Sequence, residues 1–160
     1  MTGSLLTLLR ELSRRNVEYI VVGGMAGVLH GAPVVTADLD IVHRRTQENV
    51  AKLLELLNEL QAIFRGDDRR LKPNESHLLG RGHVLLTTTL GQLDVLCEVS
   101  EQAYEDLEPF ADSMSLGDQL EVKVVGLEKL IELKAAAGRP KDQIALPVLR
   151  ATLEETKRRR

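Results

Sequence analysis

Two carboxylates inside an apolar run are the feature that most limits how this chain can fold. The segment "VVTADLDIVH" places Asp38 and Asp40 on either side of Leu39 and then continues with apolar residues, although Asp is poorly suited to the interior of a strand. Side chains alternate along a strand, so Leu39 and Ile41 face one side and both acids face the other. The segment predicts a strand that buries one face and holds two aspartates about 7 Å apart at Cα.

Carboxylates held this close repel one another unless a cation lies between them, and hard oxygen ligands favour Mg²⁺ or Mn²⁺. The same alternation recurs in "QLDVLCEV", where Leu93 and Val95 would face the core and Asp94 would face the other way. A third acid on a neighbouring strand would complete a two-metal cluster. We therefore predict a divalent-metal site at Asp38, Asp40 and Asp94.

A glycine pair supplies the complementary part of the site. The apolar run from Val17 to Val22 predicts a buried strand, and it leads directly into Gly23 and Gly24. Glycines between a strand and a helix leave backbone N–H groups that can hold phosphate oxygens without obstruction by side chains. Alone, each motif is weak, because Gly-Gly usually marks a turn, and Asp-x-Asp also occurs in surface hairpins and in the metal motifs of glycosyltransferases.

The other patterns predict an α/β (α+β) fold, with a small mixed sheet that carries the acids on one face and helices packed on the other. Leucines at helical spacing predict a first helix, with Leu5, Leu8, Leu9 and Leu12 on its buried side. Further helices are predicted at 25–30, at 47–60 with Thr46 as the N-cap, at 127–137 and at 141–156. Extended chain is predicted at 34–42 and 62–64, and hairpins at 83–99 and 115–125. The polar segment 66–82 is predicted to be a long loop. Pro147 should kink or split the last helix.

Composition bounds the class of protein. With 160 residues, of which 43% are hydrophobic, we expect one domain over 1–160, with its C-terminal helices at about 127–156. Only four aromatic residues are present, which disfavours a platform for stacking several bases: Tyr19, Phe64, Tyr104 and Phe110. The net charge of −3 argues against a surface devoted to nucleic acid, while basic clusters at 44–45, 69–72 and 157–160 leave local RNA contact open.

The lone Cys97 excludes an internal disulfide and fits a reducing compartment. Charged residues interrupt the leucine-rich start, so it does not have the form of a secretory signal, and no apolar run approaches the ~20 residues that a membrane span needs. We expect a cytoplasmic protein with no membrane association.

The order of these motifs resembles a known signature. Val22-Gly23-Gly24, then thirteen residues, Asp38-Leu39-Asp40-Ile41 and finally Leu93-Asp94-Val95 look like the polymerase-β-type nucleotidyltransferase superfamily. The C-terminal part resembles a narrower group, the minimal stand-alone nucleotidyltransferases related to AbiEii-like bacterial toxin enzymes. The residues that match this narrower group are Thr36, just before the acids, and a set in the C-terminal part: Leu130-Ile131, Lys134, Ala137, Arg139 and Lys141-Asp142.

The resemblance implies a nucleotidyltransferase fold and transfer of an NMP from an NTP to a hydroxyl group, with release of pyrophosphate. It implies that Asp38, Asp40 and Asp94 bind Mg²⁺ or Mn²⁺, with Asp94 also helping to deprotonate the acceptor. Nucleotide binding would fall to Gly23, Gly24, Thr36 and Arg139, and neutralisation of the leaving pyrophosphate to Lys134 or Lys141. The implied acceptors are a tRNA or other RNA end, a protein or a small molecule, and a toxin–antitoxin partner is a further implied interaction.

Two positions depart from the group. Many relatives carry an arginine just before the threonine, where this chain has Val34-Val35, and an acid after the Lys-Asp pair, where it has Ala145. Lys134, the segment 139–142 and Thr36 each also have a purely structural interpretation. Lys134 can lie at the edge of its helix with its aliphatic part buried and its ammonium in solvent. The segment 139–142 can be a solvated helix start, and Thr36 an ordinary strand residue. The alternative functions are a catalytically silent binding or regulatory module and a sugar-nucleotide transferase that uses only the Asp-x-Asp pair.

Overall fold

The computed structural model describes residues 3–159, and a seven-stranded sheet runs through them. Its strands are β1 (Tyr19–Val22), β2 (Asp38–His43), β3 (Ile63–Phe64), β4 (Val84–Thr88), β5 (Gly91–Leu96), β6 (Ala111–Ser115) and β7 (Glu121–Val125). Their order across the sheet is β3-β4-β5-β2-β1-β7-β6. The sheet is mixed, because β2 runs parallel to β5 and β1 runs parallel to β7, while every other neighbouring pair is antiparallel.

Helices pack against this sheet. They are α1 (Gly3–Arg14), α2 (Gly23–Leu29), α3 (Gln47–Glu59), α4 (Glu75–Leu79), α5 (Tyr104–Leu107), α6 (Leu127–Ala137) and α7 (Pro140–Arg158), with a short 3₁₀ turn at Glu108–Phe110. α1 contacts α3, β5 and β7, whereas α2 contacts β1, β2, β7 and α6, and α6 packs on α7. This architecture confirms the predicted small mixed sheet with packed helices. Between residues 3 and 159, no helix is both long enough and apolar enough to cross a membrane.

Alternation along the two acid-bearing strands sets the core. Leu39 and Ile41 of β2, and Leu93 and Val95 of β5, are all fully buried, as the sequence pattern predicts. The leucine stripe of α1 is buried as well. Since register fixes which side chains share a face, burial of these four aliphatic residues places the intervening aspartates together on the other face.

The chain enters β2 differently from the prediction. The extended segment was predicted to begin at Val34, but the strand begins at Asp38. Val35 is fully exposed, and Thr36 forms a local turn in which its Oγ1 donates to the carbonyl oxygen of Asp38 at 3.0 Å. Such side-chain bonds to nearby backbone compete with ladder pairing, so the strand starts only after this turn.

Other elements differ from the predictions in their bounds or were missed. The second hairpin, predicted at 115–125, has its first strand earlier, at Ala111–Ser115. α2 begins at Gly23 and ends at Leu29 instead of spanning 25–30, and the predicted loop at 66–82 contains α4. α4 starts with a capping box in which Asn74 accepts from the backbone of His77 while the imidazole of His77 accepts from Asn74 N–H. A histidine at the third position replaces the usual Glu or Gln, so this cap lacks the usual sequence signature. α5 was not predicted, because its four residues are too few to show a period.

α7 continues through Pro147, so the proline does not split the helix. A proline at this position removes the N–H that would donate to the carbonyl oxygen of Gln143. Both residues are exposed. Water can therefore satisfy that carbonyl, which makes the interruption tolerable at this surface.

Candidate active site

The three predicted metal ligands meet on one face of the sheet. Asp40 of β2 is in register with Asp94 of the parallel neighbour β5, and Asp38 is in register with Gln92. One carboxylate oxygen from each of Asp38, Asp40 and Asp94 lies within 4.8 Å of the other two. All three residues are partly buried, so their mutual repulsion is screened less than it would be on an open surface. We call these residues the acid triad.

The surroundings of Asp40 disfavour the ionised form of its carboxyl group. Burial, the charge of Asp94, a hydrogen bond with Asp94 and the charge of Asp38 together raise the pKa of Asp40 to about 7, and the charge of Lys141 opposes the rise. Its Oδ1 is buried and has no hydrogen-bond partner among the described residues. A buried carboxylate oxygen without a donor is costly unless something neutralises it.

The donor set fits Mg²⁺ or Mn²⁺. Hard divalent cations of this kind take carboxylate oxygens in clusters of acids that would otherwise repel one another. The triad supplies three such carboxylates within a few ångströms and includes the unpartnered oxygen of Asp40. The structure thus brings together the residues that the sequence pattern selected for a metal, although Asp94 lies more than fifty positions along the chain from Asp38 and Asp40.

Gly23 and Gly24 bring the start of α2 against the acid strand. Gly23 has φ +67°, a conformation that residues with a side chain rarely adopt, and a Cβ there would overlap the carboxylate of Asp40. A Cβ on Gly24 would lie 3.0 Å from the Oγ1 of Thr36. The glycine pair therefore permits a close approach between the helix start, the Thr36 turn and the acids.

Lys134 and Arg139 are held by a buried acid, Asp142, which belongs to the matching sequence motif but for which the sequence indicated no role in the site. Asp142 is fully buried; its Oδ2 accepts from Arg139 Nε at 2.7 Å, and Lys134 Nζ lies 3.5 Å from its Oδ1. Burial alone would raise the pKa of Asp142, but hydrogen bonds from Arg139 and the positive charges of Arg139 and Lys134 outweigh it and keep that pKa below its ordinary value. In this structure both cations are thus fixed beside the site by Asp142.

The predicted nucleotide-binding residues share one cavity with part of the acid triad. Its volume is about 230 Å³, and its lining includes Gly23, Gly24, Thr36, Asp38, Asp40, Lys134, Arg139 and Lys141. Val34, Val35, Ala145 and Leu149 form an apolar part of the same wall. The two positions that depart from the resembling group, Val34-Val35 and Ala145, therefore both lie at this cavity, which we call the glycine-side cavity.

A second, open cavity lies on the other side of Asp40. Its volume is about 760 Å³, and both Asp40 and Asp94 reach it, together with His83, Glu98, Glu101 and Lys141. Lys141 thus borders both cavities. The acid triad lies between the two spaces, an arrangement that can hold two reactants on either side of a shared cation site. We call the second space the Asp94-side cavity.

Sequence reasoning missed Arg65. Its Nη2 donates to Asp94 Oδ1 at 2.7 Å and to the carbonyl oxygen of Leu86 at 2.8 Å. Arg65 follows β3, a strand of two residues, and its backbone N–H donates to the carbonyl oxygen of Leu85 at 2.9 Å. Neither periodicity nor motif spacing marks this arginine, because its place depends on the pairing of β3 with β4 and of β4 with β5.

The architecture has a counterpart among solved structures. The crystal structure of a protein from Thermotoga maritima, described as a "putative nucleotidyltransferase", superimposes with a TM-score of 0.60 over 97% of this chain and 96% of that chain. The chain has a nucleotidyltransferase fold. The two sequences are 17% identical, so the likeness establishes the fold alone. No family model matches the sequence, and no curated protein matches it either.

Proposed function

We propose that the protein is a metal-dependent nucleotidyltransferase, which transfers an NMP from an NTP to a hydroxyl group and releases pyrophosphate. The observation that carries the proposal is the acid triad, with three carboxylates within 4.8 Å beside a glycine turn. The nucleotidyltransferase fold supports it. The glycine-side cavity would hold the triphosphate, since its lining combines the glycine pair at the start of α2 with three cationic side chains.

In the proposed reaction, the acceptor oxygen attacks the α-phosphorus, and the bond from that phosphorus to the oxygen bridging to the β-phosphorus breaks. Asp38, Asp40 and Asp94 would hold Mg²⁺ or Mn²⁺, which when bound supplies charge stabilisation to the phosphate oxygens. Asp94 borders the Asp94-side cavity and would accept the proton of the attacking hydroxyl. Lys141, with Lys134 and Arg139 fixed by Asp142, would offset the charge that develops on pyrophosphate.

The finer assignments are also proposals. The motif resemblance favours the minimal nucleotidyltransferases related to AbiEii-like toxin enzymes, with an RNA end, a protein or a small molecule as acceptor and a toxin–antitoxin partner. We place the protein in the cytoplasm as a single domain over 1–160. The absence of the arginine before Thr36 leaves phosphate binding to Lys134, Arg139 and Lys141, the cations that line the glycine-side cavity.

A second candidate is a catalytically silent module that binds or regulates another protein. The ion pair between Arg65 and Asp94 favours it, because a guanidinium already neutralises the third acid. This candidate predicts no stabilisation by any NTP. The sugar-nucleotide alternative uses only Asp38 and Asp40, and gives no role to Asp94, which shares the cluster.

Thermal unfolding in the presence of each of the four NTPs, with and without Mg²⁺, tests the proposal. A ligand at about 100 times its dissociation constant adds about 2.7 kcal/mol to the free energy of unfolding. We expect an NTP- and Mg²⁺-dependent shift that Asp38→Ala/Asp40→Ala abolishes, while Asp67→Ala/Asp68→Ala, which removes two acids from a surface loop, retains it. An NTP that stabilises the protein is then supplied with a labelled α-phosphate to detect transfer. A folded wild type that no NTP stabilises would instead support the silent module.

A further inference from the structure

Arg65 lies at the end of a row of residues that crosses three strands, β2, β5 and β4. Asp40 pairs with Asp94 between β2 and β5, and Asp94 pairs with Leu85 between β5 and β4. The backbone of Arg65 donates to Leu85 and extends the row past the end of β3. Paired residues in adjacent strands share a face, so the guanidinium lies on the same side of the sheet as the acid triad.

The guanidinium is anchored independently of the acid that it contacts. Its Nη2 bonds to the carbonyl oxygen of Leu86 as well as to Asp94 Oδ1, and only 26% of the Arg65 side chain and 14% of the Asp94 side chain are exposed. Charge-assisted hydrogen bonds are about twice as strong as neutral ones, and the strand carbonyl holds the arginine in place. The contact therefore restricts the orientation of Asp94.

The same contact changes the charge of the cluster. Three ionised carboxylates would carry three negative charges, and the adjacent guanidinium offsets one of them. A carboxylate has about four lone-pair sites, so Arg65 can hold one oxygen and leave others for a cation or a hydroxyl group. Arg65 thus has two opposite effects on the affinity of the acid triad for a cation. It raises the affinity by fixing the orientation of the ligand Asp94, and it lowers the affinity because its positive charge repels the cation.

We infer that Arg65 is a positioning residue, which fixes Asp94 for proton acceptance and lowers the cation affinity of the acid triad. The inference rests on the proposed function for its kinetic part alone. Arg65 is not among the residues that line the glycine-side cavity, so we expect its removal to leave nucleotide affinity nearly unchanged. A purely structural arginine would, when removed, weaken cation binding and turnover together. A positioning cation predicts that the two change in opposite directions.

The test compares Mn²⁺ affinity, measured by electron paramagnetic resonance, with the kinetics of nucleotide transfer. In Arg65→Met we expect Mn²⁺ to bind roughly threefold or more tighter, because a like charge is removed, while kcat falls about tenfold or more and KM for the NTP stays within about twofold. Arg65→Lys should restore wild-type Mn²⁺ affinity but only part of kcat, since an ammonium lacks the fork of the guanidinium. Arg69→Met is the matched control, because Arg69 is exposed and pairs only with Asp67 among the described residues.

Either of two results would overturn the inference: a folded Arg65→Met with unchanged or weaker Mn²⁺ binding, or one with unchanged kcat. If the proposed function is wrong, the wild type binds Mn²⁺ but transfers no nucleotide. The change in Mn²⁺ affinity between the wild type and Arg65→Met then decides whether Arg65 lowers the cation affinity of the acid triad. A wild type without Mn²⁺ binding overturns both proposals.

Discussion

Asp40 and Asp94 lie directly opposite each other on the parallel strands β2 and β5. Like charges opposed across a sheet destabilise it, and here the cost is greater because Asp40 is partly buried with one oxygen unpartnered among the described residues. Burial and these neighbouring charges are also why the pKa of Asp40 is raised to about 7. Without a cation, the acid triad is therefore a source of instability, as pre-organised metal sites commonly are.

Replacing Asp40 by Asn tests this relationship. In the presence of a chelator at pH 8, Asp40→Asn should increase the free energy of unfolding by roughly 1 kcal/mol, because one buried like charge is gone. The variant should also lose the stabilisation that Mg²⁺ gives the wild type. Urea unfolding with and without Mg²⁺ measures both effects. Asp112→Asn, a change at an exposed strand position on β6, should alter neither, and a less stable Asp40→Asn in chelator would contradict the expectation.

Gly23 should not tolerate a side chain. In Gly23→Ala the methyl group would meet the carboxylate of Asp40 in a backbone conformation with φ +67°, so we expect a loss of about 1–3 kcal/mol of stability and at least a tenfold loss of NTP affinity. Calorimetry and NTP titration measure the two effects. Gly31→Ala is the matched control, since Gly31 also has a positive φ, +92°, but has nothing within 4 Å of the added Cβ. Equal effects in both variants would show that backbone strain alone is responsible.

The acid triad was predictable because it depends on local alternation. Leu39 and Ile41 are apolar and are stable only when buried. Because side chains alternate along a strand, their burial places Asp38 and Asp40 on the other face. The same argument orients Asp94. Its pairing with Asp40 then follows from β5 lying beside β2, which the alternation of either strand by itself does not determine.

Arg65 and Asp142 were harder to assign for two different reasons. Arg65 reaches Asp94 through the register of three strands, one of which has two residues, and such non-local pairing leaves no periodic trace in the sequence. Asp142 is three residues from Arg139, a spacing that suits a carboxylate bonding back to a helix N-terminus. Its contact with Lys134 instead requires the turn at Gly138, where φ is +64°, and the sequence does not specify how α6 and α7 pack across that turn.

Asp142 should govern both stability and nucleotide binding. In Asp142→Asn the buried acid no longer neutralises Lys134 and Arg139, so we expect the free energy of unfolding at pH 7 to fall by roughly 2 kcal/mol or more and NTP affinity to fall with it. Because the pKa of Asp142 is lowered in the folded protein, its contribution is present above the unfolded pKa of about 4 and is lost as pH falls through the folded value. The deficit of the variant should therefore shrink at lower pH.

Urea unfolding of wild type and Asp142→Asn across a pH series measures that change. Asp118→Asn serves as the control, because the Asp118 side chain is 90% exposed and its contact with Arg10 is 3.7 Å long, so its loss should matter little at any pH. A deficit for Asp142→Asn that stays constant as pH falls would mean that the lost packing, and not the charge, causes the destabilisation.

Lys141 should contribute to nucleotide binding through its charge. It borders both cavities and is close enough to Asp40 to oppose the rise in that residue's pKa. If it faces the triphosphate, Lys141→Met should weaken NTP binding about tenfold, weaken NDP binding less and leave NMP binding almost unchanged, because the attraction grows with the number of phosphate charges. Calorimetric titration of the three nucleotides in Mg²⁺ measures this gradient. Lys52→Met on α3, where the lysine pairs with Glu48, should show no gradient, whereas equal losses for all three nucleotides in Lys141→Met would assign the lysine to the ribose or base instead.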